Sequence, residues 1–150
     1  VLIDMMKKEK CRPPEGLFEL LDALDGMGIA MAVGSSSRRM QVEAVWDYLG
    51  ITSRFNAIIT GDDVKNLKPA PDIYLLAMER LGADKDRAVA VEDSRLGVAA
   101  ALAAGIPCIG YSNPTSPNQD LSAATYRVDS LLQVLDLRQG DRWLWETGEK

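Results

Sequence analysis

Ala88-Val89-Ala90-Val91-Glu92-Asp93-Ser94 is the stretch on which the fold turns. A short apolar run ends in two adjacent carboxylates, and a hydroxyl opens the next segment. A run this short, apolar on every residue, suits a strand buried on both faces of a parallel sheet. The same form recurs upstream. Residues 29–33, Ile-Ala-Met-Ala-Val, lead into Gly34-Ser35-Ser36-Ser37, and the candidate strand 57–60 precedes Lys68-Pro69-Ala70-Pro71-Asp72. Hydroxyls, an ammonium and a carboxylate pair therefore each follow a buried strand. In an open parallel sheet, ligands bind beyond the carboxyl ends of the strands, so these three stations are expected at one edge.

Helical patterns fill the intervals. Leu17, Leu20, Leu21 and Leu24 recur at helical spacing, with Gly26 and Gly28 closing the segment. Val42, Val45, Trp46 and Leu49 form a second face, ended by Gly50. Pro71 opens a third helix carrying Ile73, Leu76, Ala77 and Leu81, ended by Gly82. Residues 96–104 predict an alanine-rich helix able to lie close to a sheet. Residues 107–110 and 126–128 predict further strands, residues 112–122 a polar loop and residues 131–137 a last helix. From residue 139 the chain reads as a polar tail that Trp143 and Trp145 could pin to the body. Alternating strands and helices mean βαβ units, hence an α/β fold with a Rossmann-like parallel sheet flanked by helices.

Composition bounds the function. One domain is expected from 150 residues, 47% hydrophobic and 26% charged. A formal charge of −5 argues against a nucleic-acid surface, which needs a basic patch. It leaves room for an anionic substrate, because a local cluster of Lys, Arg and Mg²⁺ can override the net sign. There is no histidine, which excludes serine–histidine and cysteine–histidine relays. The two cysteines, Cys11 and Cys108, are no disulfide framework, although one bond between them is open. No apolar run is long enough for a bilayer, and no secretory leader is visible, so the expected location is cytoplasmic.

Each station has two readings. The serines at 35–37 offer hydroxyls and backbone N–H groups, a phosphate cradle to which Arg38 and Arg39 could add charge. They also suit a simple helix N-cap. Pro69 and Pro71 frame Lys68 rigidly, as suits neutralising a transferring phosphoryl group; otherwise Lys68 is a solvated surface lysine. Glu92 and Asp93 repel each other unless a cation or hydrogen bonds absorb their charge, and hard oxygen ligands suit Mg²⁺. Capping the following helix is the alternative. Asp62-Asp63 beside Gly61 reads as a turn.

Taken together, Gly34-Ser35-Ser36-Ser37, Lys68-Pro69-Ala70-Pro71-Asp72 and Val91-Glu92-Asp93-Ser94-Arg95-Leu96-Gly97-Val98 resemble motifs II, III and IV of the haloacid dehalogenase superfamily. The branch they resemble is that of the β-phosphoglucomutase-like phosphatases and mutases. The resemblance covers residues 14–137 as a core. It implies that Ser35 and Lys68 hold the phosphoryl group of a small phosphorylated metabolite. It also implies that Ser36, Ser37 and Arg38 face the substrate, and that Glu92 and Asp93 bind Mg²⁺.

One departure stands out. The family's first motif, an Asp-x-Asp-Gly-Thr-like segment on the central strand that supplies the nucleophile, is not evident. Residues 1–13 read as the end of a cap helix and a linker, and residues 138–150 as a tail. A second alignment makes Val1-Leu2-Ile3-Asp4 a stub of the central strand, with Asp4 at the nucleophile position and Met6 where the acid/base aspartate would stand.

Two functions are expected. One is a Mg²⁺-dependent phosphohydrolase or phosphomutase working through an aspartyl-phosphate, incomplete in this chain. The other is a non-catalytic module that forms a homodimer through unpaired inner strand edges. A receiver domain also places acids, a hydroxyl and a lysine at strand ends, but there the acid pair comes first and the lysine last.

Overall fold

The computed structural model describes residues 1–4 and 12–147, and of the first strand its backbone. Six strands form one parallel sheet in the order β3-β2-β1-β4-β5-β6. They are β1 (Leu2–Asp4), β2 (Ala32–Gly34), β3 (Ala57–Ile59), β4 (Ala90–Glu92), β5 (Cys108–Tyr111) and β6 (Tyr126–Val128). Between them run α1 (Leu17–Gly26), α2 (Arg39–Tyr48), α3 (Asp72–Leu81) and α4 (Arg95–Ala103). The expected α/β class and flanked parallel sheet are what the chain forms.

The register sorts the strand residues into two faces, because side chains alternate along a strand. Ala32, Ala90 and Cys108 lie in one row, linked through Leu2; Val33, Val91 and Ile109 lie in the next, linked through Ile3. The first row packs with Ile73, Tyr74, Ala77, Val98, Ala100 and Ala101 of α3 and α4. On α4 the packing residues include Ala100 and Ala101, whose small side chains let that helix lie close to the sheet. The second row packs with Leu17, Leu20, Leu21 and Leu24 of α1, with Trp46 of α2, and with Leu131 and Val134. The four leucines of α1 are buried, as their spacing predicts. Ser94 caps α4 by accepting the N–H of Gly97, and Gly82 ends α3 in the left-handed region, where a residue without Cβ meets no penalty.

Two expectations change. Leu2–Asp4 is a strand, paired on one side with β2 and on the other with β4. Reading residues 1–13 as the end of a cap helix therefore does not describe these three; residues 5–11, including Cys11, lie outside the described residues. The physical reason is the sheet itself. β2 and β4 are fully buried runs whose backbone N–H and C=O groups each need a partner, and β1 supplies it from between them. The same pairing removes the ground for dimerisation through unpaired inner edges. Residues Leu131–Leu137 form the last helix expected there, with 3-10 geometry, tied down at its start by a capping box between Ser130 and Gln133. Second, the tail is folded: β7 (Arg138–Gln139) and β8 (Arg142–Trp143) pair as a hairpin, followed by the short α5 (Leu144–Thr147). Trp143 is buried in the core and stacks on Trp145 at 4.7 Å, so the indoles do pin it. Among the described residues, no helix is long and apolar enough to cross a membrane.

Candidate functional site

The three stations meet beyond the carboxyl ends of β2, β3 and β4, and Lys68 joins them. Its Nζ donates to the carbonyl oxygen of Gly34 at 2.9 Å and to Oε1 of Glu92, and lies 3.3 Å from the Tyr74 hydroxyl. Its backbone N–H reaches Ser36 Oγ at 3.3 Å. The proline-framed loop thus swings the lysine inward: only 5% of its side chain is exposed, and 1% of that of Glu92. The solvated-lysine reading of Lys68 is therefore set aside. A buried charge is tolerable when paired and hydrogen-bonded, and this one is both.

Tyr74 was not legible as part of the site. It sits in the first turn of α3, fully buried, and its hydroxyl donates to Glu92 Oε1. Periodicity marks it as core; only its polar tip, which must find a partner when buried, hinted at more.

Glu92 ends β4, level with Gly110 on β5 and, on the central strand, with Asp4. Its carboxylate lies against the first turn of α4. A Cβ built on Gly97 would fall 1.9 Å from Oε2, so the glycine is what admits the acid. Asp93, the next residue, accepts from Asn113 Nδ2 at 2.8 Å. Asn113 lies in the polar loop after β5, and nothing in its sequence context singled it out.

The serines divide. Ser35 is buried and its Oγ accepts the N–H of Ser37 at 3.2 Å. Ser36 braces Lys68, while the carbonyl of Ser37 accepts the N–H of Gly61 at 2.9 Å. None of the three caps α2: Arg38 holds the N-cap position, in extended geometry, without a side-chain cap bond. Arg38 is exposed beside the edge, so it is placed near the stations but not tied to them. Arg39 faces away from that role. It pairs with Glu43 and Asp63 and donates to the carbonyl of Ile58. Asp63 forms the turn expected of it, accepting the N–H of Thr60 at 2.7 Å and its hydroxyl at 2.8 Å.

Electrostatics narrows the chemistry. Burial, with the charge of Glu92 added, drives the Cys108 thiol far above its ordinary range, so it stays protonated and is no nucleophile. Burial, then the nearby charges of Asp93 and Glu15, raises the Tyr111 phenol, which stays neutral. The remaining chemistry is that of oxygen donors and one ammonium. Among the described residues no three acids or cysteines cluster as a metal centre. Two adjacent carboxylates nevertheless fit Mg²⁺, which takes one or two from the protein and completes its shell with water and phosphate oxygens. A cavity of about 440 Å³ lies at the opposite, amino edge of the sheet, lined by Met27, Arg87, Arg138 and Trp143. It holds none of the converging groups, and the polar geometry at the carboxyl edge is the better guide to the site.

Known proteins agree with this picture. Residues 2–111 match the haloacid dehalogenase-like hydrolase family. The chain is 35% identical over 121 residues to Protein CbbY of Rhodobacter capsulatus, covering 77% of this chain and 52% of that protein. Among solved structures, CbbY from Rhodobacter sphaeroides in complex with phosphate superposes with a TM-score of 0.75 at 33% identity, over 81% of this chain and 55% of that one. A β-phosphoglucomutase from Clostridium difficile does so with a TM-score of 0.70 at 28% identity, over 81% and 51%. The chain spans about half the length of the CbbY relatives it matches. By its sequence match and its sheet, the chain belongs to the haloacid dehalogenase-like hydrolases, with β-phosphoglucomutase-like enzymes among its structural neighbours.

Proposed function

We propose that this chain carries the phosphoryl-binding half of a Mg²⁺-dependent phosphohydrolase or phosphomutase that acts on a small phosphorylated metabolite through an aspartyl-phosphate. The observation that carries the reading is Lys68: a buried ammonium held by the backbone end of β2 and by Glu92 at the end of β4, facing the edge where Ser35 and Asp93 stand. The phosphate bound in the CbbY neighbour supports it.

In this reading Lys68 and the Ser35 hydroxyl neutralise and orient the phosphoryl oxygens. Ser36, Ser37 and Arg38 line the approach, with Arg38 free to meet a second anionic group of the substrate. Asp93 and Glu92 would hold Mg²⁺, which when bound supplies charge stabilisation to the transferring group. Covalent catalysis also needs a carboxylate at the end of the central strand. In this chain that strand ends at Asp4, level in register with Glu92, so Asp4 is the candidate nucleophile. The core spans residues 14–137 in addition to β1.

The test is phosphate release from a panel of sugar phosphates and an aryl phosphate with Mg²⁺ present. Activity that falls at least a hundredfold in both Lys68→Ala and Asp93→Asn supports the assignment. Activity unchanged in both would overturn it.

A further inference from the structure

The structure assigns Asn113 as a positioning residue that orients Asp93 toward a divalent cation, an inference that rests on the reading of Asp93 as a metal ligand. The carboxamide is itself locked. Thr115 donates to Asn113 Oδ1 twice, from its backbone N–H at 3.0 Å and its hydroxyl at 2.9 Å. A backbone N–H can only donate, so the atom facing Thr115 must be the carbonyl oxygen. The NH₂ group is then the one that faces Asp93, and it donates to Oδ2 at 2.8 Å. The chemistry of the partners thus fixes which way the amide points, where an isolated asparagine would leave it open.

The backbone adds a second lock. The N–H of Ser112 continues the β5–β6 ladder by donating to the carbonyl of Val128 at 2.9 Å, and the N–H of Ser116 closes a turn on the carbonyl of Asn113 at 3.0 Å. Asn113 is therefore held one residue beyond the end of a ladder, with both its backbone and its side chain specified. Asn113 and Asp93 are both buried. An amide donor on Oδ2 constrains the rotation of the whole carboxylate, and with it the direction of Oδ1. Partners of this kind, which touch the ligand and not the metal, typically govern metal affinity about 10–100-fold. The neutral amide also does what a lysine in the same place could not: it orients the acid without cancelling the charge that attracts the cation.

The experiment is titration of the chain with Mn²⁺ alone, followed by water-proton relaxation, and with Mg²⁺ alone by calorimetry. The variants are Asn113→Ala, Thr115→Val and Asp93→Asn. Asn113→Ala is expected to weaken both metals about tenfold or more while keeping a cooperative melt, and Thr115→Val to weaken them several-fold. An amide with a purely structural role would lower the melting temperature and leave the metal affinity of the folded protein unmoved. Wild-type affinity in Asn113→Ala, with affinity lost in Asp93→Asn, overturns this inference and leaves the Asp93 assignment standing. Equal affinity in wild type and Asp93→Asn, or no binding by wild type, overturns both. If Asn113→Ala fails to fold, Thr115→Val decides, and wild-type affinity there counts against the inference.

Discussion

A Cβ on Gly97 would lie 1.9 Å from Oε2 of Glu92 and 2.1 Å from its carboxyl carbon. The first turn of α4 is thus packed directly on the acid that pairs with Lys68. Gly97→Ala forces either the helix or the carboxylate to move, and neither is loose: Ser94 caps the helix at Gly97, while Lys68 and Tyr74 hold Glu92. Overpacking of this kind costs about 1–3 kcal/mol. The expected result is a melting temperature lower by several degrees, together with weakened phosphate binding. Thermal denaturation that matches wild type would show that the space is not filled as described.

Lys68 and Glu92 form a pair almost closed to solvent. Removing the ammonium alone leaves a buried carboxylate without its charge partner, which typically costs about 3–5 kcal/mol. Lys68→Met should therefore destabilise strongly, and Lys68→Met combined with Glu92→Gln should recover most of the loss, because the buried charge goes with its partner. Denaturant unfolding of the two single variants and the double variant measures this. Additive losses would mean that the two groups do not act as a pair.

Some of this arrangement was open to reading in the residues and some was not. The apolar runs ahead of Gly34 and Glu92 carry no period of two, and that absence marks strands buried on both faces. Their polar ends marked the stations, and Lys68 stood out through its two prolines. β1 was harder. Three residues have no periodicity of their own, and what makes them a strand is the pair of buried edges beside them. Tyr74 and Asn113 were hidden for another reason. One looks like helix core and the other like loop, and only the chain's return in space brings their polar atoms to Glu92 and Asp93.

Mg²⁺ affinity is expected to depend on Asp93 first and Glu92 second. Asp93 is oriented by a neutral amide, whereas Glu92 already shares its charge with Lys68. Asp93→Asn should weaken Mg²⁺ binding at least several-fold, and Glu92→Gln should do so by less. Calorimetric titration of each variant gives the order, and the reverse order would make Glu92 the principal ligand.

Asp63 sets an acid limit on stability. Burial alone would raise its carboxyl, but the hydroxyl and N–H of Thr60 and the guanidinium of Arg39 together hold it below the ordinary value. In the unfolded chain an aspartate titrates near 3.9 or so. A group whose folded pKa is depressed contributes its stabilisation fully above the unfolded value and loses it as the pH falls through the folded one. Wild type should therefore lose stability on acidification below about pH 4, and Asp63→Asn should show a shallower acid slope from a lower plateau. Melting temperatures between neutral and acid pH test both, and parallel curves would remove Asp63 from the account.

Asp4 makes the sharpest prediction about activity. β1 pairs with both β2 and β4, and its last residue is level in register with Glu92, the position that the proposed reading gives to a carboxylate nucleophile. The residue two positions on is Met6, which cannot deliver a proton to a leaving group. Substrates whose leaving group needs no proton should then react faster than those whose leaving group does. An aryl phosphate, which departs as a stabilised phenolate, is expected to turn over slowly, and a sugar phosphate much more slowly still. General acid catalysis contributes about 10²–10⁴-fold, and the gap between the two substrates should approach that range. Asp4→Asn should abolish the aryl phosphatase activity and leave the melting temperature unchanged. Steady-state phosphate release from both substrates measures this. Aryl phosphate turnover that survives Asp4→Asn would place the nucleophile outside β1.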